Sequence, residues 1–444
     1  MKKYLIIFCF YSFPSILYAQ TKWTLKDCIT YGLEHHKSRN VYSNEQLAAQ
    51  AKAKEALAAY LPSINVNAGI DDNLKVQQSI IPAGVFGPTD TKIAFTKKFN
   101  ATGSVQLDQT IYDQALLTGL KANKYNNQLA ELNTVQNDEK IIYNISTAYY
   151  QIYVYREQLK LLKYNRSNYA EQLKLSELQV KKGVATEVDL NKIRVNYNNN
   201  NSEIVAAESN LTLAENQLKN AMGQQLNVTV MLDTTGIDAL KGKAAISTQD
   251  TAFSAVNKTE YRLSQVNASL LAIDEKRITN GIIPKLSFYA RYGANGFGNN
   301  IGQTFNPILD FSAIGIKLSI PLFDGFKRGA QYTQAKYKHI NALENMKIDQ
   351  ENYHLDAMNA TTKLVKAQTN VVNDERNIQL AISVFKSTNL QYQKGVTGLT
   401  DWLNSLNSLQ ESQNNYLNSL YNFYLAKIDL EKANGTLKTF YTTL

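Results

Sequence analysis

Tyr392-Gln393-Lys394-Gly395-Val396-Thr397-Gly398-Leu399-Thr400-Asp401-Trp402-Leu403-Asn404 reads as a tight turn between two long helices. Its Lys-Gly-Val centre has a twin at Lys182-Gly183-Val184, and Asp401 has a twin at Asp189. Each pair is 212 residues apart. A chain that makes the same helical turn twice at a fixed interval reads as a duplicated structure.

The prolines show where the rest of the chain is not helical. After Pro14 they stand only at 62, 82, 88, 284, 307 and 321. Proline lacks the backbone N–H and clashes with the preceding turn, so it is excluded from helix interiors. Residues 89–283 and 322–444 are therefore free to hold long helices, and the proline zones carry period-2 patterns instead. Ile64, Val66, Ala68 and Ile70 alternate with polar residues or glycine, as do Val105 and Leu107. Leu286, Phe288, Ala290 and Tyr292 do so after Pro284, and Ile314, Ile316, Leu318 and Ile320 before Pro321. Four strands are expected, at about 63–76, 102–112, 285–294 and 311–321. One apolar and one polar face each suits a half-solvated sheet or a membrane barrel with a wet lumen.

Each strand pair runs into a helix at a similar signal, Ile111-Tyr112-Asp113 and Leu322-Phe323-Asp324. Asp113 and Asp324 are N-cap candidates, because a side-chain oxygen can accept from the free N–H groups of a first turn. Tyr112 and Phe323 stand where an aromatic belt would meet a membrane surface. Beyond them the steps of four and three in Ile141, Ile145, Ala148, Ile152, Tyr155, Leu159 and Leu162 mark a coiled-coil seam. Ile193, Tyr197, Asn200, Ile204, Ala207, Leu211, Ala214 and Leu218 mark a second. Gly223 and Gly435, again 212 apart, are placed to end helices in the left-handed conformation.

Residues 1–19, with Lys2 and Lys3 before an apolar run and Ala19 before Gln20, read as a secretory signal. Its removal takes the net charge from +9 to +7 and leaves Cys28 as the one cysteine, so no intrachain disulfide is expected. No basic cluster suggests nucleic acid. No later apolar run reaches the roughly 18 residues of a membrane helix, so a membrane-spanning chain would have to use strands. Four strands cannot close a barrel, since known ones begin at about eight. An open edge in lipid leaves backbone groups unsatisfied. Oligomers giving 8, 12 or 16 strands all remain open by counting.

The expected organisation is a first repeat at 20–223, an irregular connector at 224–250, a second repeat at 251–435 and a tail at 436–444. Each repeat runs helix, strand, strand, long helix, turn, helix.

In this arrangement the chain resembles the TolC-like outer-membrane efflux proteins from about Trp23 to Leu437. The resemblance is carried by Leu61-Pro62, Gln109-Thr110-Ile111-Tyr112-Asp113, Ile320-Pro321-Leu322-Phe323-Asp324-Gly325 and the two glycine turns. It implies a mixed α/β membrane protein. Long antiparallel coiled-coil helices would form a periplasmic α-barrel, and four strands per chain a 12-stranded trimeric β-barrel in the outer membrane of a Gram-negative bacterium. It implies a passive homotrimeric duct for efflux or type I secretion, working with a periplasmic adaptor, an inner-membrane pump and outer-membrane lipid. No cofactor, metal or catalytic residue is implied. The turns at Gly183 and Gly395 would form the gate at the periplasmic tip. Asp401 falls on an acidic ring, Asn404 replaces its second aspartate and Thr397 replaces a latching arginine. Tyr392 and Asp189 match a latch pair. For Asp401 and Asp189, capping or a favourable charge at a helix N-terminus is an equal alternative.

Two other classes compete. A soluble periplasmic coiled-coil adaptor or scaffold would share the signal and heptads but has no need of four amphipathic strands. An enzyme is disfavoured, because His35, His36, His339 and His354 form no ligand grouping and the glycine-rich run at 293–302 precedes a strand rather than a helix.

Overall fold

The computed structural model describes residues 22–85, 87–233 and 253–444. The expected signal segment and residues 234–250 of the expected connector lie outside them. The chain is a mixed α/β fold of long helices and a four-stranded antiparallel sheet. It divides into two compact units, with one formed by residues 42–134 and 260–349. The other holds the remaining described residues.

The sheet belongs to the first of these units. Its strands are β1 (Ser63–Asp72), β4 (Phe99–Tyr112), β5 (Lys285–Gly298) and β6 (Ile308–Ser319), adjacent in the order β1-β4-β5-β6. A small hairpin of β2 (Gln78–Ile81) and β3 (Thr91–Ala94) lies within the connection from β1 to β4. β1 is shorter than the expected 63–76, ending before Asn73, whose amide donates to the Lys98 carbonyl as the chain turns. β4, β5 and β6 extend three or four residues further at the loop end than the alternation suggested. Pairing with a neighbour holds those residues extended although their own side chains do not alternate.

Register decides which side chains share a face. Ile64, Leu107, Ala290 and Ile314 form one row, and Val66, Val105, Tyr292 and Ser312 the next. Asn65, Gln106, Arg291 and Ala313 fall on the opposite face, with Asn67, Ser104, Gly293 and Phe311 beyond them. The apolar halves of all four strands thus coincide. Over these rows that face is exposed, with Ile64 67%, Val66 74%, Ile314 78% and Ile316 67% accessible, while at its loop end the turn Gly302–Phe305 closes on Gly296.

The unit's helices are α2 (Lys37–Ala58, from residue 42), α3 (Gln114–Leu120) and α6 (Thr259–Asn280, from residue 260). It also takes the first residues of α4 (Ala122–Lys181) and α7 (Lys327–Gln393). The single long helix expected from Asp113 is interrupted at Lys121, where α3 ends and α4 begins. Asn280 donates to the Thr118 hydroxyl at 2.7 Å, tying α6 to α3.

The other unit is helical. It contains α1 (Leu25–His35), the rest of α4 and α7, α5 (Glu187–Met222), α8 (Leu399–Asn434) and α9 (Leu437–Thr443). Thr24 and Asp27 make a reciprocal capping box at the start of α1. Its larger core joins Cys28 and Ile29 of α1 to Ile141, Ile145, Tyr149, Tyr150 and Ile152 of α4. Leu218 and Met222 of α5 and Leu420, Tyr424 and Ile428 of α8 complete it. Tyr150 stacks on Tyr424 with centroids 4.6 Å apart and planes 4° apart, an arrangement worth about 1 kcal/mol beyond burial. Leu162 of α4 meets Ile204 and Ala207 of α5, so the two apolar seams face each other there. Among the described residues, no helix is long and apolar enough to cross a membrane.

Candidate functional site

The two glycine turns lie in the helical unit and share one backbone. Gly183 and Gly395 both have φ +71°. Each amide donates three residues back, Gly183 to Val180 at 2.9 Å and Gly395 to Tyr392 at 3.0 Å. Val184 and Val396 donate five back, to Gln179 and Gln391, each at 2.9 Å. This double bond pattern closes the last free carbonyls of a helix and needs a residue without a Cβ at the left-handed position.

The helices that follow are capped differently. Before α5, Thr186 is the N-cap. Its hydroxyl accepts from the Asp189 amide at 3.1 Å and donates to the Asp189 carboxylate at 2.8 Å. Lys192 adds an ion pair at 3.5 Å. The Thr186 hydroxyl bond, with Lys192, holds the Asp189 carboxyl below the usual carboxylate range. The Thr186-x-x-Asp189 spacing was a readable capping signal that sequence reasoning passed over.

Before α8 the N-cap is Gly398, which has no side chain to give. Thr397 instead donates to one oxygen of Asp401 at 2.7 Å. The position that carries Lys192 in the first turn carries Asn404 in the second. Among the described residues, no lysine or arginine stands within ion-pair distance of Asp401. Asp401 and Asn404 are both exposed, so the second turn presents a carboxylate with no cationic side-chain partner among the described residues.

Tyr392 and Asp189 are not brought together. The Tyr392 hydroxyl donates to Gln179 at 3.4 Å, while Asp189 is occupied by Thr186 and Lys192. The Tyr392 ring packs instead on a small core of Tyr169, Phe385, Trp402, Leu406 and Leu409. Trp402, 1% exposed, anchors it and donates to Asn389 at 2.7 Å.

The two strand-to-helix junctions belong to the sheet-bearing unit and differ from each other. Asp113 caps α3, accepting from the Leu116 amide at 3.0 Å and pairing with Lys285 at 2.7 Å. Tyr112 donates to Gln114 at 3.0 Å, and a register shift between Thr110 and Tyr112 sets Ile111 out of the ladder. The freed Ile111 carbonyl accepts from Tyr60 at 2.6 Å.

The expected N-cap role of Asp324 is not realised. Gly325 (φ +64°) and Phe326 (φ +65°) insert a left-handed turn, so α7 begins only at Lys327. Asp324 pairs with Arg328 at 3.3 Å instead. Phe323 and Phe326 meet edge to face at 5.5 Å, and both are exposed. Phe326 escaped sequence reasoning because a non-glycine residue in this conformation carries no local signal.

The family model for outer membrane efflux proteins matches residues 43–224 and 263–436. Outer membrane protein TolC of Vibrio cholerae is 20% identical over 404 residues, covering 88% of this chain and 85% of its own length. The crystal structure of CusC superposes with a TM-score of 0.75 at 15% identity, over 94% of this chain and 95% of CusC. The outer membrane protein VceC of Vibrio cholerae gives 0.72 at 17%, over 93% and 96%.

Proposed function

The chain belongs to the outer membrane efflux protein family, and on that premise we propose that it acts as a passive homotrimeric duct. Membership makes it an outer-membrane transport protein rather than an enzyme. In the proposed assembly three copies supply twelve strands to one β-barrel, and their helices form a tunnel through the periplasm. The chain is read as two structural repeats preceded by a cleaved signal. An inner-membrane pump supplies the energy, and a periplasmic adaptor joins pump to duct. The route serves efflux or type I secretion.

One observation carries this reading. The apolar halves of four strands fall on one exposed face, while the other carries Asn65, Asn67, Ser104, Gln106 and Arg291 with the rings of Tyr289 and Phe311 among them. Water on the apolar face would be costly at roughly 25 cal/mol per Å². Lipid there and water opposite suit both faces. Among the described residues, the outer edges of β1 and β6 have no neighbouring strand. Further copies would satisfy them, as lipid demands. A soluble adaptor or scaffold would leave the same face and edges unanswered.

The turns at Gly183 and Gly395 are proposed as the periplasmic gate. Asp401 supplies one carboxylate per chain, flanked by Asn404 and tied by Thr397, with Tyr392 and Asp189 bracing the turns. Tyr112, Asp113, Phe323 and Asp324 are proposed to mark the boundary between barrel and helices, with the aromatic rings at the lipid surface.

Fractionation with mild cross-linking tests the assembly. Recovery in the outer membrane as a species of three chains is expected. Recovery in the soluble periplasm would sink the channel reading.

A further inference from the structure

Two cations on the polar face of the sheet, Arg291 and Lys317, have no acidic partner among the described residues, and Arg291 is the one set against an aromatic ring. Arg291 stands on β5 between Gln106 of β4 and Ala313 of β6. Its guanidinium carbon lies 5.8 Å from the centre of the Phe311 ring, within the range of a cation–π contact. Asp108, one row nearer the helices, is engaged by Gln106, whose amide nitrogen lies 3.0 Å from both carboxylate oxygens.

Glycines make this arrangement possible. Phe311 pairs with Gly293, where an added Cβ would come within 2.6 Å of the ring. Tyr289 pairs with Gly315, where a Cβ would come within 2.7 Å of the phenol oxygen. Gly293, Ala313 and Gly315 therefore form a shallow shelf along β5 and β6. The two rings lie against this wall instead of projecting from it, as aromatic side chains do beside strand glycines. Arg291 rests among them.

The chemistry of this shelf is specific. A guanidinium has five in-plane donors that match the paired oxygens of carboxylate, phosphate or sulfonate. Aromatic faces beside it accept flat apolar groups. We propose that Arg291, seated on Phe311, is a binding station for anionic groups on planar cargo. This rests on the channel reading, under which the polar face lines the bore. Three copies would place three such stations around it.

Single-channel recording on the purified full chain in planar bilayers, with naphthalene-2-sulfonate as probe, tests the station. Wild-type current should be blocked. Block should weaken about tenfold in Arg291→Gln, as expected for loss of a charge-assisted contact. Arg291→Lys, which keeps the charge but loses the fork, should fall between the two. Phe311→Leu should weaken block several-fold and provides a second variant if Arg291→Gln does not insert. Equal block in wild type and variants, or no block of conducting wild type, overturns the station. Absence of any conductance by wild type sinks the channel reading itself.

Discussion

Lys192 lies 3.5 Å from Asp189, whereas the residue at the same step beyond Asp401 is Asn404. Two turns with the same backbone therefore differ in charge: one aspartate has a cation beside it, and among the described residues its twin has none. Threefold symmetry would concentrate three Asp401 carboxylates around one axis, where a local field attracts cations. Asp401→Ala is expected to weaken cation block of single-channel current by several-fold, with Asp189→Ala changing it little. Bilayer recording with a polyvalent cation checks this, and unchanged block in Asp401→Ala would remove Asp401 from the gate.

Asp189 titrates below the usual carboxylate range because the Thr186 hydroxyl and Lys192 favour its charged form. A depressed folded-state pKa stabilises the fold above the ordinary carboxylate value. That contribution is lost as pH falls through the folded value. Asp189→Asn should therefore lower melting temperature slightly at pH 7, with the gap to wild type closing below about pH 4. Melting in detergent followed by circular dichroism would show it. A gap that widens in acid would contradict the assignment.

Gly183 and Gly395 occupy the left-handed region with nothing within 4 Å of an added Cβ. Substitution there is a pure backbone test. Alanine should cost about 1 kcal/mol at either site, and asparagine less. Chemical denaturation of single variants measures the cost. Alanine behaving like wild type would mean the turn relaxes away from this geometry.

Cys28 is fully buried beside Ile145 and Met222, and burial, with Asp27 nearby, pushes its thiol up to about 12. The thiolate is the reactive species. Maleimide at pH 8 should label the folded protein at least about a hundredfold more slowly than the unfolded protein. Rapid labelling in the fold would show that the α1 core opens.

The long elements were legible because one residue type controlled each of them. Prolines marked where the non-helical zones lie, although β4 runs to Tyr112, well past Pro88; period-2 apolar residues marked four strands, and heptad steps marked seams whose members Ile141, Ile145, Ile193 and Ile204 are buried. The hairpin at Gln78–Ile81 and Thr91–Ala94 was not legible, since four residues are too few for alternation to declare a strand. The break at Lys121 was hidden because nothing there forbids a helix. At the turns, glycine announced the backbone, but the partners did not follow from it. Thr186 for Asp189 was written in their spacing, but Gln179 for Tyr392 and, at the second junction, Arg328 for Asp324 depend on where each helix begins.

The strand order β1-β4-β5-β6 has a parity. Four strands alternating in direction leave β1 and β6 running opposite ways. A copy added by rotation alone can then pair its β1 antiparallel with its neighbour's β6, all loops staying at one end. An odd number of strands would make the two edges parallel. The two edges are also independent in inheritance: a chain with a proline-broken β6 still offers an intact β1. In the proposed trimeric ring such a chain would enter through β1 and stop the ring from closing, so the altered allele would behave as dominant over the normal one in the same cell.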